Sequence, residues 1–228
     1  MVSGFDRYFQ LAHCFRDEDA RGDRQPEHTQ IDMEMSFVSK DDVFAVVEGM
    51  LAHVFAKTLD RKLETPFPRL SYREAMDRYG TDRPDLRFEL ELKDFAAHVP
   101  AGEFQVFKDV LAGGGAVKAL VAPGCADRSR KQISELEEVA KRYGAKGLAW
   151  TKVTDSGLEG GIGRFYEANA RAILEDLRAK PGDLLLFSGA DWSTACISLG
   201  AVRIRLGAEL GLAGDDRFRF CWIIDFPL

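Results

Sequence analysis

The sequence predicts an α+β protein, and three patterns along its 228 residues carry that prediction. Two runs of alternating polar and apolar residues, 8–18 and 29–37, are typical of paired strands. A middle stretch, 94–207, alternates short apolar runs with amphipathic helical runs, as compact α+β units do. A last apolar run, 218–224, has the composition of a buried strand. We therefore expect three segments, with limits at 1–93, 94–207 and 208–228.

The first segment is predicted to be a hairpin followed by two helices. A polar loop joins the two strands, and loops of that length are usually functional or disordered. Ser39, with Asp42 three positions later, forms the capping box of the first helix, whose apolar residues recur at helical spacing. Ser71 with Glu74 begins a shorter helix, which ends before Gly80.

The middle segment is predicted to contain four strands and two helices. Apolar runs predict the strands, and runs with leucine spacing and charged faces predict the helices. The strands are placed at 104–107, 118–121, 147–153 and 183–188, and the helices at 129–143 and 164–179. The apolar content is sufficient for a separate core, so we expect residues 94–207 to fold independently.

Composition limits the class of protein. Hydrophobic residues make up 46% and charged residues 30%, as in folded globular domains, and the net charge of −6 argues against a protein that coats nucleic acid. No apolar run approaches the roughly 18 residues of a membrane span. The beginning of the chain lacks the pattern of a signal peptide. The cysteines are far apart and form no CxxC, which is typical of buried thiols and predicts a cytoplasmic protein with no membrane partner.

The predicted hairpin carries its charged residues on one side and its apolar residues on the other. Alternation groups Arg16 with Glu18 on the first strand and Gln30, Asp32 and Glu34 on the second, with Arg16 expected to face Asp32. One interpretation is an ordinary sheet with its charges in solvent. The other is the floor of a pocket for a ligand with phosphate and ammonium or carboxylate groups, since guanidinium binds phosphate or carboxylate with two hydrogen bonds. The pattern alone leaves both interpretations open.

The amino-acid sequence of this region resembles that of a known family. The run CFRDEDARGDRQPEHTQIDMEMSF resembles motif 2 of the class II aminoacyl-tRNA synthetases, in wording similar to bacterial aspartyl enzymes. The flanking runs GFDRYFQLAHCFR, PFPRLSYREAMDRYG and RPDLRFELE are similar to the same family. The middle segment resembles the GAD domain inserted in those enzymes, through Gly189-Ala190-Asp191, and LGAVRIRLGAELGL with CWIIDFPL resembles the return to the catalytic domain. The resemblance covers essentially the whole chain. It implies part of an antiparallel-sheet catalytic domain with an inserted α+β GAD domain.

The resemblance also implies which residues contact the amino acid. Arg16 corresponds to the motif 2 arginine, which contacts both aspartate and the α-phosphate of ATP and is the one catalytic residue implied. Its charge would stabilise the charge that develops at phosphorus. Asp32 corresponds to a carboxylate near the substrate ammonium group.

Four further residues, together with Arg16, are implied to bind ATP. Asp17 and Glu18 lie in the stretch that contacts ATP, and Gln25 corresponds to a glutamine of the loop. His28 stands where the family usually has a phenylalanine that stacks on adenine, and imidazole can stack on a base as well.

The implied activity is aspartate–tRNA ligation in two steps. Aspartate attacks the α-phosphate of ATP to give aspartyl-adenylate, and the aspartyl group then passes to tRNA(Asp). The implied partners are L-aspartate, ATP with Mg²⁺, and tRNA(Asp), and the full-length enzyme is expected to be a homodimer. Motifs 1 and 3 are absent from the sequence and both ends look cut, so we expect this chain to be inactive alone.

Three alternatives compete with that activity. GAD domains also occur in subunits of tRNA-dependent amidotransferases, so a non-catalytic GAD module that binds tRNA or another partner is one; the motif 2 hairpin argues against it. A related lysyl or asparaginyl enzyme is another, and the insert argues against it. A non-discriminating enzyme that also charges tRNA(Asn) stays open.

Overall fold

The computed structural model describes residues 1–228 except 18, 20, 21, 23, 215 and 228. Of the predicted site residues, only Glu18 lies outside the described residues. The chain forms two compact units, Met1–Phe67 and Pro68–Leu228. The mixture of helices with largely antiparallel strands confirms the predicted α+β class. Among the described residues, no helix combines the length and apolar character that crossing a membrane requires.

The first unit is a hairpin followed by a long helix. Strands β1 (Arg7–Phe15) and β2 (Glu27–Met35) pair in antiparallel orientation, and helix α1 spans Lys40–Leu59. The predicted capping box is confirmed, because the Asp42 carboxylate accepts hydrogen bonds from the Ser39 hydroxyl at 2.7 Å and the Ser39 backbone N–H at 2.8 Å. These bonds hold the pKa of Asp42 below its ordinary value.

Both predicted strands are confirmed with shifted ends. Strand β1 stops at Phe15 rather than at residue 18, and β2 starts two residues earlier than predicted and ends at Met35. Just beyond that end, Phe37 adopts φ of 57°, a left-handed conformation that no strand can continue. Polar alternation alone did not reveal where the pairing ends.

The second unit is built around a five-stranded sheet. Strand β3 (Arg69–Ser71) leads into helix α2 (Tyr72–Tyr79), and the last strand is β9 (Trp222–Ile224). The sheet consists of β4 (Lys93–Asp94), β5 (Ala116–Ala122), β6 (Ala149–Thr154), β7 (Gly157–Glu159) and β8 (Leu184–Ala190). The remaining helices are α3 (Gln105–Ala112), α4 (Arg130–Arg142), α5 (Ala170–Leu177) and α6 (Trp192–Glu209).

The five-stranded sheet has the order β4-β5-β8-β6-β7 with antiparallel neighbours, and it separates two cores. On one side Leu120 and Leu186 pack with α4 and α6. On the other side Ala119 and Phe187 pack with α3 and α5. Successive strand residues thus enter opposite cores, as the pleat of a central strand requires.

Helix starts were predicted more reliably than the middle elements. Ser71 accepts a hydrogen bond of 3.1 Å from the backbone N–H of Glu74, and the helix ends at Gly80, as expected. The predicted strand 104–107 is wrong, because those residues lead into α3. In α3, Phe107 is buried while Val106 is 56% exposed. Four residues are too few to distinguish this helical pattern from the alternation of a strand.

Two other predicted elements are shorter than expected. The helix placed at 164–179 exists only from Ala170, because Gly163–Phe165 and Glu167–Asn169 form two 3-10 turns. The last strand, predicted over 218–224, spans only Trp222–Ile224. It pairs in parallel with β3, with Leu70 opposite Ile223.

The second unit begins before the predicted insert. Arg203 of α6 is fully buried, and its guanidinium donates hydrogen bonds of 2.8–3.0 Å to the backbone carbonyls of Asp85, Phe88, Glu89 and Leu90. Burial lowers the pKa of this guanidinium. The same helix packs Gly207 against the Phe88 ring, where a Cβ would lie 2.5 Å away. The compact unit therefore starts at Pro68, and the domain limits at 93/94 and 207/208 stay a prediction.

Candidate functional site

The hairpin β1–β2 separates polar from apolar residues as the sequence predicts. Its apolar side carries Phe9, Leu11, Phe15 and Ile31, each at least half exposed. On the polar side Asp32 lies opposite Gln10, whose amide nitrogen donates a 3.0 Å hydrogen bond to the Asp32 carboxylate. That bond fixes the orientation of a carboxylate that the resemblance links to substrate binding.

Arg16 does not face Asp32, so that expectation is wrong. Arg16 follows the last residue of β1, and its backbone N–H donates a 2.8 Å hydrogen bond to the carbonyl of Pro26. The position opposite Asp32 belongs to Gln10, six residues earlier. Six residues of strand extend about 20 Å, so Arg16 and Asp32 lie far apart along the hairpin.

Two of the predicted ATP contacts lie together at the loop end of the hairpin. Gln25 and His28 line a depression of about 500 Å³, together with His13 and Glu27. His13 and Glu27 are joined by a 2.7 Å contact between Nε2 and a carboxylate oxygen. Asp17 lies in the loop that follows β1, while Glu18 falls outside the described residues.

The His13–Glu27 pair was missed from the sequence, because it depends on the register of the hairpin. In the observed register His13 lies opposite Thr29, and Glu27 is two residues before Thr29 on the same strand. Among the described residues, no group of three or more His, Cys, Asp or Glu side chains could hold a metal ion.

A second polar cluster lies in the other unit, and its centre is Asp77 of α2. Its carboxylate accepts hydrogen bonds from Trp192 Nε1 at 2.7 Å, Lys118 Nζ at 2.8 Å and Arg73 Nε at 2.8 Å. The Arg73 guanidinium also stacks 4.0 Å from the centroid of the Trp192 ring. Burial opposes ionisation of Asp77, but the three hydrogen bonds outweigh it and hold its pKa below the ordinary value.

The Gly189-Ala190-Asp191 sequence marks the junction between β8 and α6. Asp191 is the N-cap of α6, and its carboxylate accepts a 3.0 Å hydrogen bond from the backbone N–H of Thr194. That contact gives the aspartate a local structural role. Trp192, the next residue, carries the contact to Asp77.

The geometry and the sequence together define the class of protein. The sequence matches the family described as tRNA synthetases class II (D, K and N) over residues 1–228. The chain therefore belongs to that family.

Relatives of the chain share one substrate in their names. The chain is 56% identical to the aspartate–tRNA(Asp/Asn) ligase of Treponema denticola, across 100% of this chain and 39% of that protein. It is 53% identical to the aspartate–tRNA ligase of Exiguobacterium sibiricum, again across 100% of this chain and 39% of that protein. The aspartate–tRNA(Asp/Asn) ligase of Bacillus subtilis is 49% identical, with the same coverage of 100% and 39%. The chain thus spans about 39% of the length of these relatives.

Proposed function

We propose that this chain is part of an aspartate–tRNA ligase, with the β1–β2 hairpin forming one wall of the site for ATP and aspartate. One observation carries the proposal: relatives with that name match the chain from end to end at 49–56% identity. The sequence of the two strands of the hairpin, which resembles motif 2, supports the assignment of the site. Since the relatives are longer, the activity is proposed for a longer protein of which this chain is a part.

Arg16 acts in the first step. An oxygen of the aspartate α-carboxylate attacks the α-phosphorus of ATP, and the bond to pyrophosphate breaks as the new P–O bond forms. The Arg16 guanidinium donates hydrogen bonds to the α-phosphate and to the carboxylate, since its planar donors match both groups. Its charge stabilises the developing negative charge on the phosphate oxygens. In the second step a ribose hydroxyl at the 3′ end of tRNA attacks the activated carbonyl carbon, and AMP leaves.

Asp32 binds the ammonium group of the aspartate substrate. Its carboxylate is half-buried and oriented by Gln10, and it accepts hydrogen bonds from the substrate ammonium group. In this division of roles Arg16 serves the α-phosphate and the carboxylate, and Asp32 serves the amine.

The loop end of the hairpin binds the nucleotide. Gln25 and His28 share one depression, which supports a common ligand there, with the His28 imidazole stacked on adenine. Asp17 and Glu18 complete the ATP contacts. Mg²⁺ binds through the phosphates, because this ion usually keeps most of its waters and takes only one or two carboxylates.

The proposed partners are those of the resemblance: tRNA(Asp), L-aspartate, ATP, and a second copy of the full-length enzyme, in the cytoplasm. Relatives named for tRNA(Asp/Asn) and for tRNA(Asp) alone match at 56% and 53%, so similarity does not separate the two ranges of tRNA. A non-catalytic GAD module is the weaker candidate, because the relatives match over the hairpin as well as over the insert.

Amino-acid-dependent exchange of pyrophosphate into ATP tests the proposal. The full-length protein that contains this chain is incubated with ATP, Mg²⁺ and labelled pyrophosphate, with aspartate, asparagine or lysine. Aspartate alone is expected to support exchange. Exchange with lysine or asparagine but not aspartate would refute the assignment, and transfer to purified tRNA(Asp) and tRNA(Asn) then shows which tRNAs are charged.

A further inference from the structure

A cavity of about 890 Å³ lies at one end of the five-stranded sheet, far along the chain from the hairpin. It opens where α3 and α4 end and where β8 runs into α6. Small-molecule sites in proteins typically occupy 300–1,000 Å³. The size of the cavity is therefore that of a site for a small ligand.

The floor of the cavity is apolar and aromatic. Phe107 and Phe187 belong to the core beneath it and are 3% and 1% exposed. Phe104 stands edge-on to Phe107 at a centroid distance of 4.8 Å, and Trp150 forms part of the opposite wall. The faces of such rings attract cations through their quadrupole moment.

The charged residues around the cavity are mostly acidic. Asp109, Glu137 and Asp191 line it, against the single ammonium group of Lys146. Among their described partners, Asp109 accepts a hydrogen bond only from the neutral amide of Gln105, at 2.7 Å, whereas Glu137 lies 3.0 Å from Lys141. Asp109 is therefore the carboxylate best placed to act on a ligand.

Helix ends add to this negative potential. The C-termini of α3 and α4 reach the cavity through Gly113 and Gly144, which line it. A helix C-terminus carries about half a negative charge on its terminal carbonyl groups. The N-terminus of α6 has the opposite sign, but Asp191 caps it with a negative charge.

Glycines allow the walls of the cavity to approach one another. A Cβ at Gly115 would lie 2.5 Å from the carbonyl oxygen of Ala190, so this close approach requires glycine. Gly147 differs, because a Cβ there would meet only Glu137 Oε1, at an ordinary 3.6 Å. A larger side chain at Gly147 can therefore fill the cavity without straining the backbone.

We propose that this cavity binds a small organic cation, with an aromatic or other apolar body against the phenylalanine and tryptophan rings and its charged group near Asp109. The apolar floor contributes affinity for the body, and the acidic rim selects the sign of the charge. The proposal does not depend on the aspartate–tRNA ligase activity, since the cavity shares no residue with the hairpin.

Three probes that share a naphthylmethyl body and differ in charge test the sign of the charge. Binding of 1-naphthylmethylammonium, 1-naphthylmethanol and the anion of 1-naphthaleneacetic acid to the 228-residue chain is measured by calorimetry and by the change in tryptophan fluorescence. The cation is expected to bind with one-to-one stoichiometry and about tenfold more tightly than the anion, the scale of one cation–π contact plus one exposed ion pair. Equal binding of cation and anion, or no saturable binding of the cation, overturns the proposal.

Substitutions place the binding in the cavity. Gly147→Phe should abolish cation binding, while Gly49→Phe, at a helix position in the first unit with open space around it, should leave binding unchanged. Asp109→Asn should weaken cation binding several-fold and Lys146→Gln should strengthen it, with the neutral probe unaffected by either. These opposite charge effects keep the test decisive even where Gly147→Phe does not fold. An affinity for the cation that is unchanged in both Asp109→Asn and Lys146→Gln refutes the site.

Discussion

The indole nitrogen of Trp192 donates a 2.7 Å hydrogen bond to the carboxylate of Asp77, across 115 residues of sequence. It joins the start of α6 to the helix that follows β3. Lys118, only 4% exposed, donates to the same carboxylate oxygen, so one charge holds α2, β5 and α6 together. Removing that charge leaves a buried ammonium group without its nearest partner.

Asp77→Asn should therefore destabilise the chain by about 2–4 kcal/mol, because breaking one partner of a largely buried ion pair strands the other. Urea denaturation of the 228-residue chain measures the effect. Glu135→Gln, on an exposed face of α4, is the control and should change stability by less than about 0.5 kcal/mol. A loss for Asp77→Asn no larger than the control would contradict the role of this cluster.

The same carboxylate gives the stability of the chain a pH dependence. Asp77 has a folded-state pKa below the ordinary 3.8, so its contribution is fully present above that value and is lost as the pH falls through the lowered pKa. The difference in unfolding free energy between the original chain and Asp77→Asn should thus be constant near neutral pH and shrink below about pH 4. A difference that grows on acidification would have the wrong sign.

Arg203→Met should cost about 3 kcal/mol or more, because the methionine fills much of the space but removes the fully buried donor that four backbone carbonyls share. Arg205→Met is a matched control on the same helix. Arg205 is about half exposed and pairs with Glu209 in solvent, where such pairs contribute about 0.5 kcal/mol or less. Similar midpoints for the two variants in chemical denaturation would refute this stabilising role of the Arg203 hydrogen bonds.

Residues 68–228 should unfold cooperatively, whereas residues 94–207 alone should not. This revises the expectation from sequence, because the shorter piece lacks Asp77, which pairs with Lys118, and the carbonyls that satisfy Arg203. It would also expose the side of α6 that packs on Phe88. Thermal unfolding of both pieces, followed by circular dichroism, tests this. A sharp transition of the shorter piece at the same midpoint would contradict this prediction and support the limits at 93/94 and 207/208.

In the full-length protein, Arg16→Ala should lower aspartate-dependent pyrophosphate exchange by roughly 100-fold, the loss typical of one preorganised donor at a developing charge. Arg171→Ala serves as the control, because that side chain is 92% exposed on α5 and pairs only with Glu175 among the described contacts. Near-normal exchange in Arg16→Ala would remove Arg16 from the site.

His28→Phe in the full-length protein should preserve or tighten ATP binding, since a phenyl ring stacks on adenine without desolvating a polar ring. The KM for ATP in the exchange assay measures this. A large increase in that KM would show that the imidazole makes a polar contact with the nucleotide instead. His13→Phe, at the neighbouring His13–Glu27 pair, shows whether the effect is particular to residue 28.

Local signals in the sequence were sufficient for the hairpin and for the helix starts at Ser39 and Ser71, because a cap and its partner lie three residues apart. They failed at α3, whose first turn contains too few residues to separate period 2 from period 3.6. The Asp77 cluster and the hydrogen bonds of Arg203 to backbone carbonyls were not predicted at all. Apart from Arg73, four residues before Asp77, their partners lie 41 to 118 residues away in sequence, and no periodicity encodes such pairs.

The same reason explains the error at the hairpin. Alternation predicts which residues of a strand share a side, but it carries no information about register. Register follows from where the two strands end, and the observed loop lies earlier in the chain than predicted, because β1 ends at Phe15 and β2 begins at Glu27. The Gln10–Asp32 pair is the consequence.

The parallel pairing of β3 with β9 determines how the long stretch between them is mounted. The chain leaves β3 at Ser71 and enters β9 at Trp222, and parallel strands put those two points at opposite ends of the ladder. The stretch between Ser71 and Trp222, which includes the cavity, is therefore attached to this short ladder at two separated points rather than through one covalent link.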